Sequence, residues 1–179
     1  AHAWKRVLVF VATRYACEHV ANKLYKAGVF ATAFHGEMSQ GARQDVLRDF
    51  KTGHCDVMVT TDLASRGIDI AMLPVVVNYD LPRLATDYTH RIGRTGRAGR
   101  QGLAVTLAEF RDKRKIFDIE AFTRQQFTAE VIPGLEPTQR LERGRDFAPR
   151  KGGGKFDGRR GGGGGGFGFG GEKYDAVLH

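Results

Sequence analysis

Val7-Leu8-Val9-Phe10-Val11 is an unbroken apolar run with Thr13 and Arg14 close behind it. A strand with one wet face alternates apolar and polar side chains, whereas one apolar on both sides has to be covered on both sides. The run therefore reads as a central strand of a parallel sheet. Further apolar runs follow at Val29–Phe34, Asp56–Thr60, Val75–Tyr79 and Leu103–Leu107. Between them, Tyr15–Ala27 sets Ala16, Val20, Ala21 and Leu24 on one helical stripe. Gln40–Phe50 does the same with Val46, Leu47 and Phe50, and Gly28 and Gly53 stand where those helices should end. Leu84–Ile92 and Phe110–Thr123 read as two more helices. Strand and helix alternating at this pitch imply right-handed crossovers and an open parallel α/β sheet with helices on both faces.

Ligands of such sheets gather at the carboxyl ends of the strands. Thr13 and Arg14 follow the first strand, His35 and Gly36 the second, and Thr61 and Asp62 the third. Between the fourth and fifth strands lies the run His90-Arg91-Ile92-Gly93-Arg94-Thr95-Gly96-Arg97-Ala98-Gly99-Arg100. Arginines spaced so closely repel one another unless an anion sits among them. Guanidinium groups match phosphate oxygens in a planar, bidentate way. Glycine recurs at 93, 96, 99 and 102, but the repeat is too short and proline-free to be collagen. A polyphosphate or a nucleic-acid backbone is the expected ligand.

The 179 residues suffice for one core plus a tail. The formal charge of +8 points to an anionic partner. Thr138 to Arg160 holds eight Lys or Arg against three acids, leaving the rest of the chain only about +3. The basic residues of the globular part must therefore act by placement. Cys17 and Cys55 lack metal-ligand spacing, so no metal site and no disulfide framework is expected. With no signal peptide and no long apolar run, the chain reads as soluble and cytoplasmic, without a membrane partner. It starts at Ala1 almost directly on a strand, as a fragment of something longer would.

Taken together, these segments resemble the C-terminal lobe of a DEAD-box ATP-dependent RNA helicase of the bacterial type. The likeness covers roughly Val7 to Leu107. VLVFVATR (7–14) resembles motif IV, Gln40-Gly41-Ala42-Arg43 the QxxR element, and VTTDLASRGIDI (59–70) motif V. VVNYDLP (76–82) is similar to the segment after motif V, and HRIGRTGRAG (90–99) to motif VI. The resemblance implies a RecA-like fold. It implies that Arg94 and Arg97 are arginine fingers for the γ-phosphate of ATP, and that Asp69 binds the ribose hydroxyls on a turn allowed by Gly67. Thr13, Arg14, His35, Gly36, Gln40, Arg43 and Thr61 would line a track for single-stranded RNA, held by phosphates and 2′-hydroxyls. His90 and Arg91 would tie this lobe to an N-terminal RecA-like lobe, although an ion pair within the domain suits Arg91 as well. Asp62 could cap the following turn or meet a ligand.

No Walker A sequence, DEAD tetrapeptide, SAT motif or Q motif is present in these residues. ATP and its Mg²⁺ would thus be held mainly by the other lobe, and this chain alone would hydrolyse ATP negligibly. Single-stranded and duplex RNA are the expected partners. The domain reading is 1–126 for the RecA-like unit, 127–137 for a short appendage, and 138–179 for a basic glycine- and arginine-rich tail. That tail cannot offset its ordering entropy and reads as disordered. Phe156, Phe167 and Phe169 among Arg159, Arg160 and glycines could stack on bases, or the tail could be a plain linker. The main alternative is a non-catalytic RNA-binding module without an ATPase lobe.

Overall fold

All four residues of β1 (Val7–Phe10) are buried, because the strand lies inside its sheet with parallel neighbours on both sides. The computed structural model describes residues 4–96, 102–130 and 176–178. After β1 come α1 (Arg14–Lys26), β2 (Ala31–Phe34), α2 (Gln40–Thr52), β3 (Val57–Thr60) and the single turn α3 (Asp62–Ser65). Then follow β4 (Val75–Asn78), α4 (Ala85–Ile92), β5 (Leu103–Thr106), a 3₁₀ turn at Phe110–Asp112, α5 (Lys113–Thr123) and β6 (Ala176–Leu178). The sheet order is β2-β3-β1-β4-β5-β6. The first five strands are parallel, and β6 pairs antiparallel with β5. The open parallel sheet expected from the apolar runs is thus the fold observed, with strand ends shifted by a residue or two.

The antiparallel strand β6 is an addition that the sequence reading did not include. The rest of 131–175, with Val131, Ile132, Leu135 and the phenylalanines and arginines of the tail, lies outside the described residues. Of the expected appendage, residues 127–130 are described and are anchored by Phe127. It packs on Tyr88 with ring centroids 5.6 Å apart, and its backbone N–H donates to Glu120 Oε1 at 2.8 Å.

One face of the sheet packs Leu8, Phe10, Met58 and Val76 against Phe50 of α2 and against Ala64, Ile68, Ile70 and Leu73 of the segment after β3. The other packs Val7, Val9, Val57 and Val59 against Cys17, Val20 and Ala21 of α1. Leu81, Tyr88, Ala108, Ile116 and Ile119 form a third cluster joining α4 to α5. Helices start where the sequence supplies a cap. The hydroxyl oxygens of Thr13, Ser39 and Thr61 accept from Ala16, Ala42 and Ala64 N–H, each such cap being worth about 1 kcal/mol. Gly53 closes α2 at φ 82°, a conformation that costs a residue with a side chain more.

The Cys17 thiol is fully buried and lies 2.8 Å from the Val59 carbonyl oxygen. Burial pushes its pKa up from 9.0 to about 11. A raised acid pKa means stability that is complete below the unfolded value and is lost as pH climbs through the folded one. Relative to Cys17→Ala, the chain should therefore lose about 2–3 kcal/mol of unfolding free energy between pH 9 and pH 11. Urea titrations of the two proteins across that range check the loss, and parallel pH curves would refute it.

Candidate functional site

The parallel strands end level. Phe10 stands in register with Thr60 and Asn78, Thr60 with Phe34, and Asn78 with Thr106. Whatever follows those residues is presented on one rim. Thr13 and Arg14 leave β1, His35 and Gly36 leave β2, and Thr61 leaves β3, so the residues expected to line an RNA track do share that edge. Gln40 and Arg43 join it at the start of α2. The N-termini of α1 and α2 point the same way, adding their partial positive charge where phosphates would lie.

Each rim residue has its own setting. Thr13 and Thr61 use a hydroxyl lone pair as a helix cap, which leaves the O–H able to donate outward. Arg14 pairs with Glu37, both well exposed, so the pair contributes little to stability. Gly36 and Gln40 are exposed. Arg43 lies 4.6 Å from the centre of the Phe34 ring and donates to the His35 carbonyl at 3.4 Å, which pins α2 to the end of β2. His35 Nε2 lies 3.1 Å from Glu18 Oε1, while its Nδ1 is buried without a partner among the described residues.

A second group sits on the segment between α3 and β4. Gly67 has φ +78°, the turn that its position requires. Two residues on, the Asp69 side chain is 100% exposed, with Lys51 within reach at 4.0 Å. That carboxylate is an open double acceptor of the kind a diol needs. Arg94 follows α4 and turns back onto this segment. Its Nη1 donates to Ile68 O at 2.9 Å and Ile70 O at 3.3 Å, and its Nη2 to Ser65 O at 3.3 Å. Arg94 therefore clamps the backbone on both sides of Asp69. His90, in the last turn of α4, is exposed. Arg97 lies outside the described residues. Among those described, no cluster of His, Cys, Asp and Glu could hold a metal ion.

Arg91 makes the ion pair within the domain that the sequence reading left open beside a contact with another lobe. It is 2% exposed, and its Nε and Nη2 donate to the two carboxylate oxygens of Asp62 at 2.6 and 2.7 Å. Nη1 donates to Asp80 O at 2.6 Å and Asn78 Oδ1 at 3.2 Å, and the guanidinium stands 4.9 Å from the centre of the Phe10 ring. Four of its five N–H donors are thus taken up inside the domain. Asp62 is correspondingly the anchor of Arg91, a third role beside the cap and the ligand contact considered from sequence.

Asn78 and Asp80 went unassigned in the sequence reading. Asn78 Nδ2 donates to Thr106 Oγ1 at 3.1 Å, and Asp80 Oδ2 accepts from Ala12 N–H at 2.7 Å, fixing the turn that carries Thr13. The available signal was an asparagine closing an otherwise valine-rich strand. Thr95 is another such residue. Its hydroxyl donates to Leu73 O at 2.5 Å, while Leu73 N–H donates to Arg94 O at 2.9 Å. A methyl group at Gly102 would overlap Thr95 Oγ1 and the Gly96 nitrogen. Gly102→Ala should therefore cost about 2–3 kcal/mol in urea unfolding by overpacking. A midpoint within error of wild type would show that the backbone yields there.

Residues 1–99 match the family described as the helicase conserved C-terminal domain. The chain is 40% identical over 163 residues to DEAD-box ATP-dependent RNA helicase 30 of Arabidopsis thaliana, covering 91% of this chain and 27% of that protein. It is 50% identical over 102 residues to the ATP-dependent RNA helicase DBP2 of Meyerozyma guilliermondii, covering 57% and 18%. Among solved structures it is similar to the E. coli DEAD-box protein SrmB bound to regulator of ribonuclease activity A. The TM-score there is 0.73 at 38% identity, over 78% of this chain and 82% of that one. The C-terminal domain of the DEAD-box protein Dbp5 gives a TM-score of 0.63 at 34% identity, over 68% and 72%. The chain thus spans less than a third of the length of the curated relatives it matches.

Proposed function

Because the chain belongs to the DEAD-box ATP-dependent RNA helicases, as a helicase conserved C-terminal domain of RecA-like fold, we propose that it is the second lobe of such an enzyme. One observation supports the reading: residues that follow the level strand ends share one rim, and Arg94 fixes the backbone on both sides of the exposed Asp69. Thr13, Arg14, His35, Gly36, Gln40, Arg43 and Thr61 hold the backbone of a single RNA strand through phosphates and 2′-hydroxyls, without reading sequence. Asp69 accepts the ribose hydroxyls of ATP, with Gly67 shaping the turn.

Arg94 and Arg97 stabilise the charge that builds on the transferring phosphoryl group. In the free lobe Arg94 rests on three carbonyls, so it exchanges those acceptors for phosphate oxygens when the N-terminal lobe brings ATP to it. His90 contacts that lobe, and Arg91 holds this one together. Mg²⁺ belongs to the other lobe and would neutralise the phosphates there. Closure of the two lobes bends one RNA strand and opens a short duplex locally, and release of products reopens the cleft. We place this work in the cytoplasm. The plant, yeast and E. coli relatives support the family as a whole, and the bacterial type stays our proposal.

The test joins this chain to the N-terminal lobe of a relative and measures phosphate release with and without RNA. The joined protein should turn over ATP in an RNA-stimulated way, and the chain alone should not. Robust turnover by the chain alone would overturn the proposal. A joined protein that binds RNA but never hydrolyses ATP would favour a non-catalytic RNA-binding module. Within the joined protein, Asp69→Ala should raise the KM for ATP about tenfold with a smaller change in kcat, the pattern of a lost ground-state contact. An unchanged KM would remove Asp69 from the ribose role.

A further inference from the structure

Tyr15 is the most exposed Phe, Tyr or Trp side chain among the described residues, at 74%. A ring left so open gains little from burial, so packing within the lobe does not account for it. It lies against the ring of His19 one turn further along α1, with centroids 5.8 Å apart and planes 16° from parallel. The i,i+4 spacing brings the two together, while Cys17, Val20 and Ala21 carry the opposite side of the helix into the core. Two ion pairs tie this turn to the loop after β2: Arg14 with Glu37, and Glu18 with His35. The stacked pair therefore stands beside Thr13, Arg14 and His35, on the rim already assigned to RNA.

We propose that Tyr15, backed by His19, is a stacking platform for one nucleobase of the bound RNA strand. The proposal rests on the RNA-binding reading of the rim and adds a base contact to it. A phenol ring offers a flat π-face that any base can cover, so the platform adds affinity without choosing sequence. His19 flanks the ring in an offset stack and limits its rotamers, which lowers the entropy lost on binding. A paired base is stacked between its neighbours in a duplex, whereas an unpaired one has a face to offer. The platform therefore favours the single strand over the duplex.

Fluorescence anisotropy with the full chain tests this on two strands of about ten nucleotides. One is oligouridylate, which does not stack on itself, and the other is an abasic ribose-phosphate strand. Tyr15→Ala should weaken oligouridylate binding at least about fivefold and leave the abasic strand within about twofold of wild type. Tyr15→Phe and Tyr15→Trp should retain affinity for both. Equal losses on the two strands, or no loss on oligouridylate, would overturn the platform while the RNA reading stands. Wild-type chain that binds neither strand would bring down the RNA reading itself, and the platform with it.

Discussion

Arg94→Ala should slow ATP turnover about 10³-fold or more in a two-lobed protein built on this chain, the scale on which an inserted arginine acts in phosphoryl transfer. The same variant should show a second effect with no nucleotide present. Arg94 satisfies the carbonyls of Ser65, Ile68 and Ile70, so its loss should speed amide hydrogen exchange across residues 65–73 of the chain alone. Arg94→Lys should rescue little of either effect. One ammonium can replace the charge but cannot span three carbonyls as a planar fork does. Arg97→Ala supplies the comparison, since its turnover defect is expected to be of similar size. Full turnover in Arg94→Ala would end the finger assignment, and unchanged exchange would end the clamp.

Asp62→Ala should destabilise the chain by about 3–5 kcal/mol, the cost of stranding a buried guanidinium without its carboxylate. Domains of this kind hold only about 5–15 kcal/mol in total, so the variant should sit near the edge of folding. Adding Arg91→Met should recover much of the loss, because removing both charges leaves neither stranded. Urea midpoints of the single and double variants decide it. A loss below about 1 kcal/mol for Asp62→Ala would mean that water reaches Arg91 after all.

The sheet was legible because burial on both faces leaves an unmistakable apolar run. Val7 to Val11 could hardly serve any other purpose, and Gly28 and Gly53 announced where the first two long helices end. The rim was legible for the same reason, since level parallel strands put their following residues at one edge. Side-chain partnerships across long separations were not. Nothing near Arg91 in sequence says that Asp62, twenty-nine positions earlier, is the partner in the ion pair that the sequence reading left open. Asn78 and Asp80 went unassigned because a buried polar residue declares its partner only once strands are aligned. Gly102 read as one of a series of flexible glycines. Its real constraint is the nearness of Thr95, which no local pattern encodes.

The contacts of Arg91 have a thermodynamic consequence. Through Asp62, Asp80 and the Ala12 amide it braces the turns at the ends of β1 and β3, and it lies three residues before Arg94 in the chain. The proposed RNA rim and the proposed nucleotide segment are therefore tied together through these contacts. Such a lobe, in the proposed enzyme, would work as a lever arm and not as an internal relay. In the proposed enzyme, any coupling between ATP and RNA then resides in how this body is oriented against its neighbour. Reciprocity follows: whatever factor RNA adds to ATP affinity, ATP must add to RNA affinity.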